Sequence, residues 1–367
     1  MILSRQNADL LRLISMGAVC LIHSTATFEW HFLNHHHYLS QDFAAVLINQ
    51  VGRYCVPLFV FLSGYGLASR EFGRPPEKRL AALPFYFDRL KRIGLPYVFF
   101  TLILLCFIAL PHGGFAEYLR VLPSTLLHGS ADYHFYFFPL ILSCYLFFPL
   151  LLRLENPFFI FITLASLLFF TSPAHVILGH FGFHRPEFPT WMPFQWLFYF
   201  HFGTVFARID VRSKSADPGL DKKTSAPEWR FFSVLILLLA LGLLLAEYLF
   251  WSYRQERTDY FNHNSRWVVL LYSLAWIFLA RAWNGPITAL LEKPVLAKSI
   301  PYLAGVSFTV FILHTKVLGG LAMTKIGSSI FLLAPAVLGL TLLVVWLLDL
   351  GIRWNFLRLC FGLPEKK

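Results

Sequence analysis

The chain has 367 residues, of which 57% are hydrophobic, 18% aromatic and only 14% charged, a balance that excludes an ordinary pair of soluble domains. The formal charge of +11 would suit nucleic acid if the bases formed one patch, but they lie scattered between long apolar runs. Each run is long enough to cross about 30 Å of hydrocarbon, which takes roughly 20 helical residues.

An all-α polytopic membrane bundle is therefore expected, as a single domain over 1–367. Ten spans are predicted: 10–28, 44–68, 93–110, 135–152, 158–178, 191–207, 231–251, 267–283, 302–322 and 330–350. Asp9, Arg12 and His23 interrupt the first run and no small-residue cleavage site follows it, so it is read as a retained helix and not as a removable signal peptide. With the N-terminus inside, 23 of the 31 Lys and Arg residues fall on inner segments. That bias places both termini in the cytoplasm. The inner segment 208–230 contains the one linker-like stretch, SKSADPGLDKKTSAPE.

In the first span, Asp9, Arg12 and His23 lie within about 60° of one another around the helix axis, with Ser15 at the edge. Arg12 and His23 are nearly eclipsed and about 16 Å apart along the axis. Asp9 stands one turn before Arg12 and is placed to hold its guanidinium. Taken singly, Arg12 reads equally as a snorkelling positive-inside anchor and His23 as an interhelical hydrogen-bonding group. Together, ionisable groups on one face of a span point to a cavity or a functional path.

The spacing Arg12, ten residues, His23, preceded by Asp9-Leu-Leu, resembles the Arg-X10-His signature of the acyltransferase-3 family of integral membrane acyltransferases. Further stretches are similar to the same family. RYCVPLFVFLSGYGLA, beginning at Arg53, resembles its second helix, with the Ser63-Gly64 pair. Arg53 and the VPLF form look like the branch that O-acetylates enterobacterial antigen and polysaccharides. Arg89-Leu-Lys-Arg92 matches the family's Arg-X-X-Arg element, and YHFYFFPLILSCYLFFP, with His134, its fourth helix. AGVSFTVFILHTKVL, with Ser307 and His314, matches its late helix. The resemblance runs from Asp9 to about Leu318 and thins over the fifth to eighth spans. An acidic residue that some relatives carry beside the late Ser is missing, so no carboxylate is assigned to catalysis there.

The resemblance implies transfer of an acyl group from cytoplasmic acyl-CoA to a carbohydrate hydroxyl at the extracytoplasmic side, in the bacterial inner membrane. Acetyl is the family's commonest group, with succinyl the alternative. Acyl-CoA is a co-substrate, no cofactor is held permanently, and the partners are the bilayer and a glycan or lipid-linked sugar. Arg12, Arg89 and Arg92 are the expected phosphate-binding residues, since guanidiniums clamp phosphate oxygens. His23 is the expected general base, because imidazole titrates near working pH, with Asp9 orienting Arg12. His314, His134, Ser307, Ser63 and Arg53 are candidates for acceptor binding or oxyanion donation. His23 and His314 each lie 13 residues from the inner ends of their spans, and would share a pocket if the first and ninth spans adjoin.

Two alternatives use the same residues: a secondary transporter or exporter of a polysaccharide precursor, with the stripe as relay or anion path, and a scaffold subunit with the stripe as interhelical glue. Against the transporter, no inverted repeat is visible. No metal site is expected. His35–His37, with His31 nearby, lack a completing ligand spacing, and His175, His180 and His184, among Phe181, Phe183 and Trp191, suit sugar contact or an interfacial belt. Cys20, Cys55, Cys106, Cys144 and Cys360 read as apolar packing residues.

Overall fold

The computed structural model describes residues 3–35, 40–75, 81–154, 157–170, 190–217, 225–253 and 266–365. Hydrocarbon offers backbone N–H and C=O groups no partner, so apolar runs of this length close their hydrogen bonds internally as helices. Among the described residues there is no strand.

The helices are α1 (Arg5–His35), α2 (Gln41–Gly52), α3 (Cys55–Phe72), α4 (Ala82–Arg89), α5 (Leu95–His128), α6 (Phe137–Leu151), α7 (Pro157–Phe169), α8 (Leu197–Ala216), α9 (Pro227–Tyr253), α10 (Trp267–Ala282), α11 (Asn284–Leu291), α12 (Pro294–Ala322), α13 (Ile330–Gly351) and α14 (Asn355–Cys360). Each of the ten predicted spans overlaps one or two of them, and residues 171–178 of the fifth lie outside the described residues. Six stretches are long and apolar enough to cross a membrane, and α10 with α11, bent by 65°, makes a seventh if taken as one broken span. α6 and α7 are apolar but shorter. Of the expected inner segment, α8 runs on to Ala216 and α9 begins at Pro227, while residues 218–224 lie outside the described residues.

Two predicted elements differ in detail. The span expected over 44–68 is broken at Arg53 and Tyr54, between α2 and α3. Pro57 explains the break, since it has no N–H for the Arg53 carbonyl and its ring crowds that group. α5, expected to end near residue 110, continues after a reversal at Gly114, whose φ of 64° and ψ of −158° lie outside the helical region. Its second half folds back on its first. The Tyr97 hydroxyl donates to the Leu126 carbonyl at 2.6 Å, and Leu105 and Ala109 pack on Tyr118. A side chain at Gly114 would be strained at that φ, which is why the reversal occurs there.

The chain gathers into two compact units. The first holds the described residues up to Leu62 and Ile209–Leu348; the second holds Ser63–Phe170, those from 190 to Arg208, and those from Asp349 on.

In the first unit, α1 starts with a capping serine. Ser4 Oγ accepts from the Asn7 N–H at 3.2 Å and meets Thr288 Oγ1 at 2.8 Å, satisfying one of the orphan donors of a helix start. Asn284 Oδ1 accepts from the Ser4 N–H at 2.7 Å, and Asp210 accepts from the Leu3 N–H at 2.9 Å. The same Asp210 carboxylate takes both terminal nitrogens of Arg281, at 2.7 and 2.9 Å. Farther along, Phe28 of α1 packs with Ala45 of α2 and Leu333, Ala334 and Val337 of α13, with Leu318 and Leu321 of α12 against them. This cluster fixes how α1 and α12 face each other.

In the second unit, the Arg208 guanidinium donates to the carbonyls of Leu152 and Leu154 and covers the Phe72 ring at 4.9 Å, closing the C-terminal end of α6. Gly64 of α3 meets α8 directly. A β-carbon there would lie 2.1 Å from the Phe200 carbonyl oxygen. Membrane helices approach this closely only where a small residue permits it. Gly64→Ala should therefore force α3 and α8 apart and cost about 1–3 kcal/mol or more, read as a lower melting temperature in detergent; an unchanged melting temperature would contradict this packing.

Candidate functional site

The polar stripe of α1 survives as a structural feature. Arg12 Nη1 donates to Asp9 Oδ1 at 2.9 Å, and the arginine side chain keeps 33% of its surface exposed. The two therefore form a held but accessible cation. About one turn beyond the midpoint of the apolar stretch, His23 lies edge-on to His314 of α12, with ring centroids 5.0 Å apart and planes at 73°.

His314 is completely buried. Its Nδ1 lies 2.7 Å from the Phe311 carbonyl and 3.3 Å from that of Val310. Ser307 stands two turns before His314 on the same face of α12. It is buried, and its hydroxyl donates to the Ala304 carbonyl at 2.7 Å. Such back-bonding leaves the oxygen lone pairs as acceptors, so an oxyanion donor role would require the hydroxyl to rotate.

Arg53, a candidate for acceptor contact, belongs to a buried polar lattice at the far end of α1. Its guanidinium donates to Asn49 and stands 3.9 Å from Glu29. Asn49 donates to Thr25 Oγ1 at 2.9 Å, and the Tyr248 hydroxyl faces Glu29. Arg266 donates to Glu247 at 2.9 Å and to Gln50 at 2.8 Å. Through Thr25, which donates to the Ile22 carbonyl at 2.6 Å, the lattice reaches the helical turn that carries His23. It holds two carboxylates and two guanidiniums, so the charges of this group balance where burial makes an excess costly.

Four candidates lie in the second unit. Arg89 and Arg92 share the Asp88 carboxylate, Arg92 through its Nε at 2.9 Å. Arg89 also stands over the rings of Phe85 and Tyr145 at 5.8 and 6.0 Å, a cation–π arrangement. Leu90–Gly94 forms one π-helical turn between α4 and α5, a local widening that recurs at functional sites. The element thus presents two guanidiniums around one carboxylate, with Arg92 well exposed. His134 is buried, 3.5 Å from the Asp132 carboxylate and edge-on to the Phe135 ring. Ser63 is half-buried on α3.

The structure thus joins Asp9 with Arg12, His23 with His314, and Arg89 with Arg92. It does not bring Arg12 to His23, which keep the axial separation of about 16 Å that eleven helical residues impose. Sequence reasoning missed Glu29, Glu247, Arg266, Asp210 and Arg281 as a paired set. Lone acids in apolar runs, Glu29 and Glu247, were the available signal. Their partners come from other helices. His36, His37, His175, His180, His184, Phe181 and Phe183 lie outside the described residues. Four of the five cysteines are buried as expected of packing residues, whereas Cys106 is exposed.

Compared with known families, residues 5–350 match a family model described as an acyltransferase domain. No curated protein and no solved structure matches the chain.

Proposed function

Because the chain belongs to the acyltransferase-3 family, we propose that it is a membrane-embedded O-acyltransferase that moves an acyl group, acetyl foremost, from cytoplasmic acyl-CoA to a carbohydrate hydroxyl on the extracytoplasmic side. The bacterial inner membrane is the compartment this reaction requires, with the donor made inside and the glycan outside.

The observation that carries the reading is the edge-on contact of His23 with His314, on a helix whose other end displays the Asp9-held Arg12. Acyl transfer from a thioester needs a base for the acceptor proton and a grip on the donor. His23 serves as the base. Arg12 binds donor phosphate near the inner end of α1, with Asp9 orienting it, and in the second unit Arg89 and Arg92 bind phosphate through the same chemistry. Ser307 and His134 are proposed for acceptor hydroxyls. Ser63 and Arg53 support those sites through packing and the polar lattice.

Reconstitution of the purified protein with acetyl-CoA and a panel of surface glycans and lipid-linked sugars tests the reading. Release of free thiol that depends on one acceptor supports it; flux of a polysaccharide precursor without acyl transfer would replace it with the exporter. Comparing surface glycans of a deletion and its complemented strain by mass spectrometry then identifies acyl group and acceptor.

The cationic element gives a separate check. Arg92 is well exposed, so Arg92→Gln should leave folding intact. It should raise the KM for acyl-CoA roughly tenfold or more, the effect of one charge-assisted hydrogen bond, with a smaller change in kcat. An unchanged KM would make this a topogenic loop.

A further inference from the structure

We infer that the open end of the hairpin formed by α12 and α13 is a binding site for an anionic glycerophospholipid, with an acyl chain in the groove between the helices and the phosphate at Lys298. The inference is independent of the reaction proposed above. The hairpin is packed shut at its turn. Beside Lys325–Ser328, Leu318 and Leu321 of α12 lie against the cluster that holds Ile330, Leu333, Ala334 and Val337 of α13. Away from the turn, a groove of about 280 Å³ runs between Tyr302, Leu303 and Val306 of α12 and Leu343, Val345 and Trp346 of α13.

The walls say what fills it. Leu343 and Trp346 are 47% and 48% exposed, on a helix whose mean hydropathy of 2.6 suits hydrocarbon. The groove therefore opens toward lipid, and its apolar lining offers water no partners. Tyr302 and Trp346 are residue types that settle at the level of lipid headgroups. Lys298 stands one helical turn before Tyr302, and Val306 one turn after it, so the three form a single stripe along α12. Cation, aromatic ring and apolar wall thus follow one another in the order of headgroup, interface and chain.

Lys298 is exposed, and a lysine stem can lie along apolar surface while its ammonium reaches the headgroups. The acid at this end of α13, Asp349, does not oppose a phosphate there, because its carboxylate accepts from the Arg358 guanidinium at 2.5 Å. A zwitterionic headgroup answers its phosphate with its own ammonium, so Lys298 selects for net negative charge. This is also the end that the distribution of Lys and Arg predicts to be cytoplasmic, where anionic lipids attract basic residues. A water-soluble anion would satisfy Lys298 and leave the groove unfilled, whereas one anionic lipid accounts for both.

Trp346 is a built-in reporter. The whole protein is reconstituted in phosphatidylcholine bilayers containing increasing amounts of a lipid with brominated chains, either phosphatidylglycerol or phosphatidylcholine. Bromine quenches indole fluorescence on contact, and subtracting the same titration of Trp346→Phe isolates this residue from the other tryptophans. We expect half-maximal quenching at about fivefold less brominated phosphatidylglycerol than brominated phosphatidylcholine, the weight of one lysine at a membrane surface. Lys298→Gln should abolish that preference while phosphatidylcholine still quenches. Leu343→Phe, which narrows the groove at an exposed position, should weaken quenching by both lipids. Equal quenching by the two lipids in the unaltered protein, a preference that survives Lys298→Gln, or quenching untouched by Leu343→Phe overturns the inference. Absence of quenching by either lipid also overturns it, and would mean that protein, such as a second copy of this chain, covers the groove.

Discussion

His23→Ala is expected to lower acyl-transfer turnover by about 10²–10⁴-fold, the usual contribution of a positioned general base, while the protein still folds and still binds acyl-CoA. Folding should survive because α1 is held at both ends by contacts that do not involve His23. The Ser4, Leu3 and Asn7 bonds fasten its start, and the Phe28 cluster fastens its outer half. Donor binding should survive because Arg12 stands about three turns away on the same helix. Thiol release measured in reconstituted bilayers, beside an independent measurement of acyl-CoA binding, checks both halves. A folded His23→Ala protein with full turnover would remove the base assignment and, with it, the reason for a two-imidazole contact.

The second large effect concerns stability. Asp210→Ala should destabilise the first unit by about 3–5 kcal/mol, because it strands a buried guanidinium. Asp210 is 2% exposed and accepts three hydrogen bonds, two from Arg281 and one from the Leu3 N–H. Thermal unfolding in detergent would show the loss as a lower midpoint. Pairing the change with Arg281→Met should restore part of the stability, since removing both charges leaves no uncompensated ion, and neighbours in one network are not additive. Strictly additive losses, or no loss for Asp210→Ala, would mean that solvent already satisfies Arg281. Because the Leu3 bond seats the start of α1, the single variant should also reduce activity more than an equally destabilising change elsewhere in the first unit.

The two experiments probe opposite ends of one helix, and they differ in what the sequence disclosed. His23 and Arg12 were legible because their signal is local: eleven residues of α-helix bring two side chains to the same face whatever surrounds them. Asp9 was legible for the same reason, as an i,i+3 partner, and the observed bond has that spacing. Asp210 and Arg281 were not, since 71 residues separate them and no periodicity links one helix to another. Glu29 and Glu247 were visible as acids in apolar runs, but which guanidinium answers each was not.

The apolar runs by themselves determined that the chain is helical and built for a membrane, because in hydrocarbon the backbone can satisfy its hydrogen bonds only within the helix. They also marked where ionisable groups interrupt the apolar surface. Only the tertiary structure decided that α1 and α12 adjoin with their imidazoles in contact, that α5 doubles back at Gly114, and that Arg53 is part of a buried lattice. These depend on side-chain packing between segments distant in the chain, which is specified by shape and paired charge and leaves no mark in local spacing.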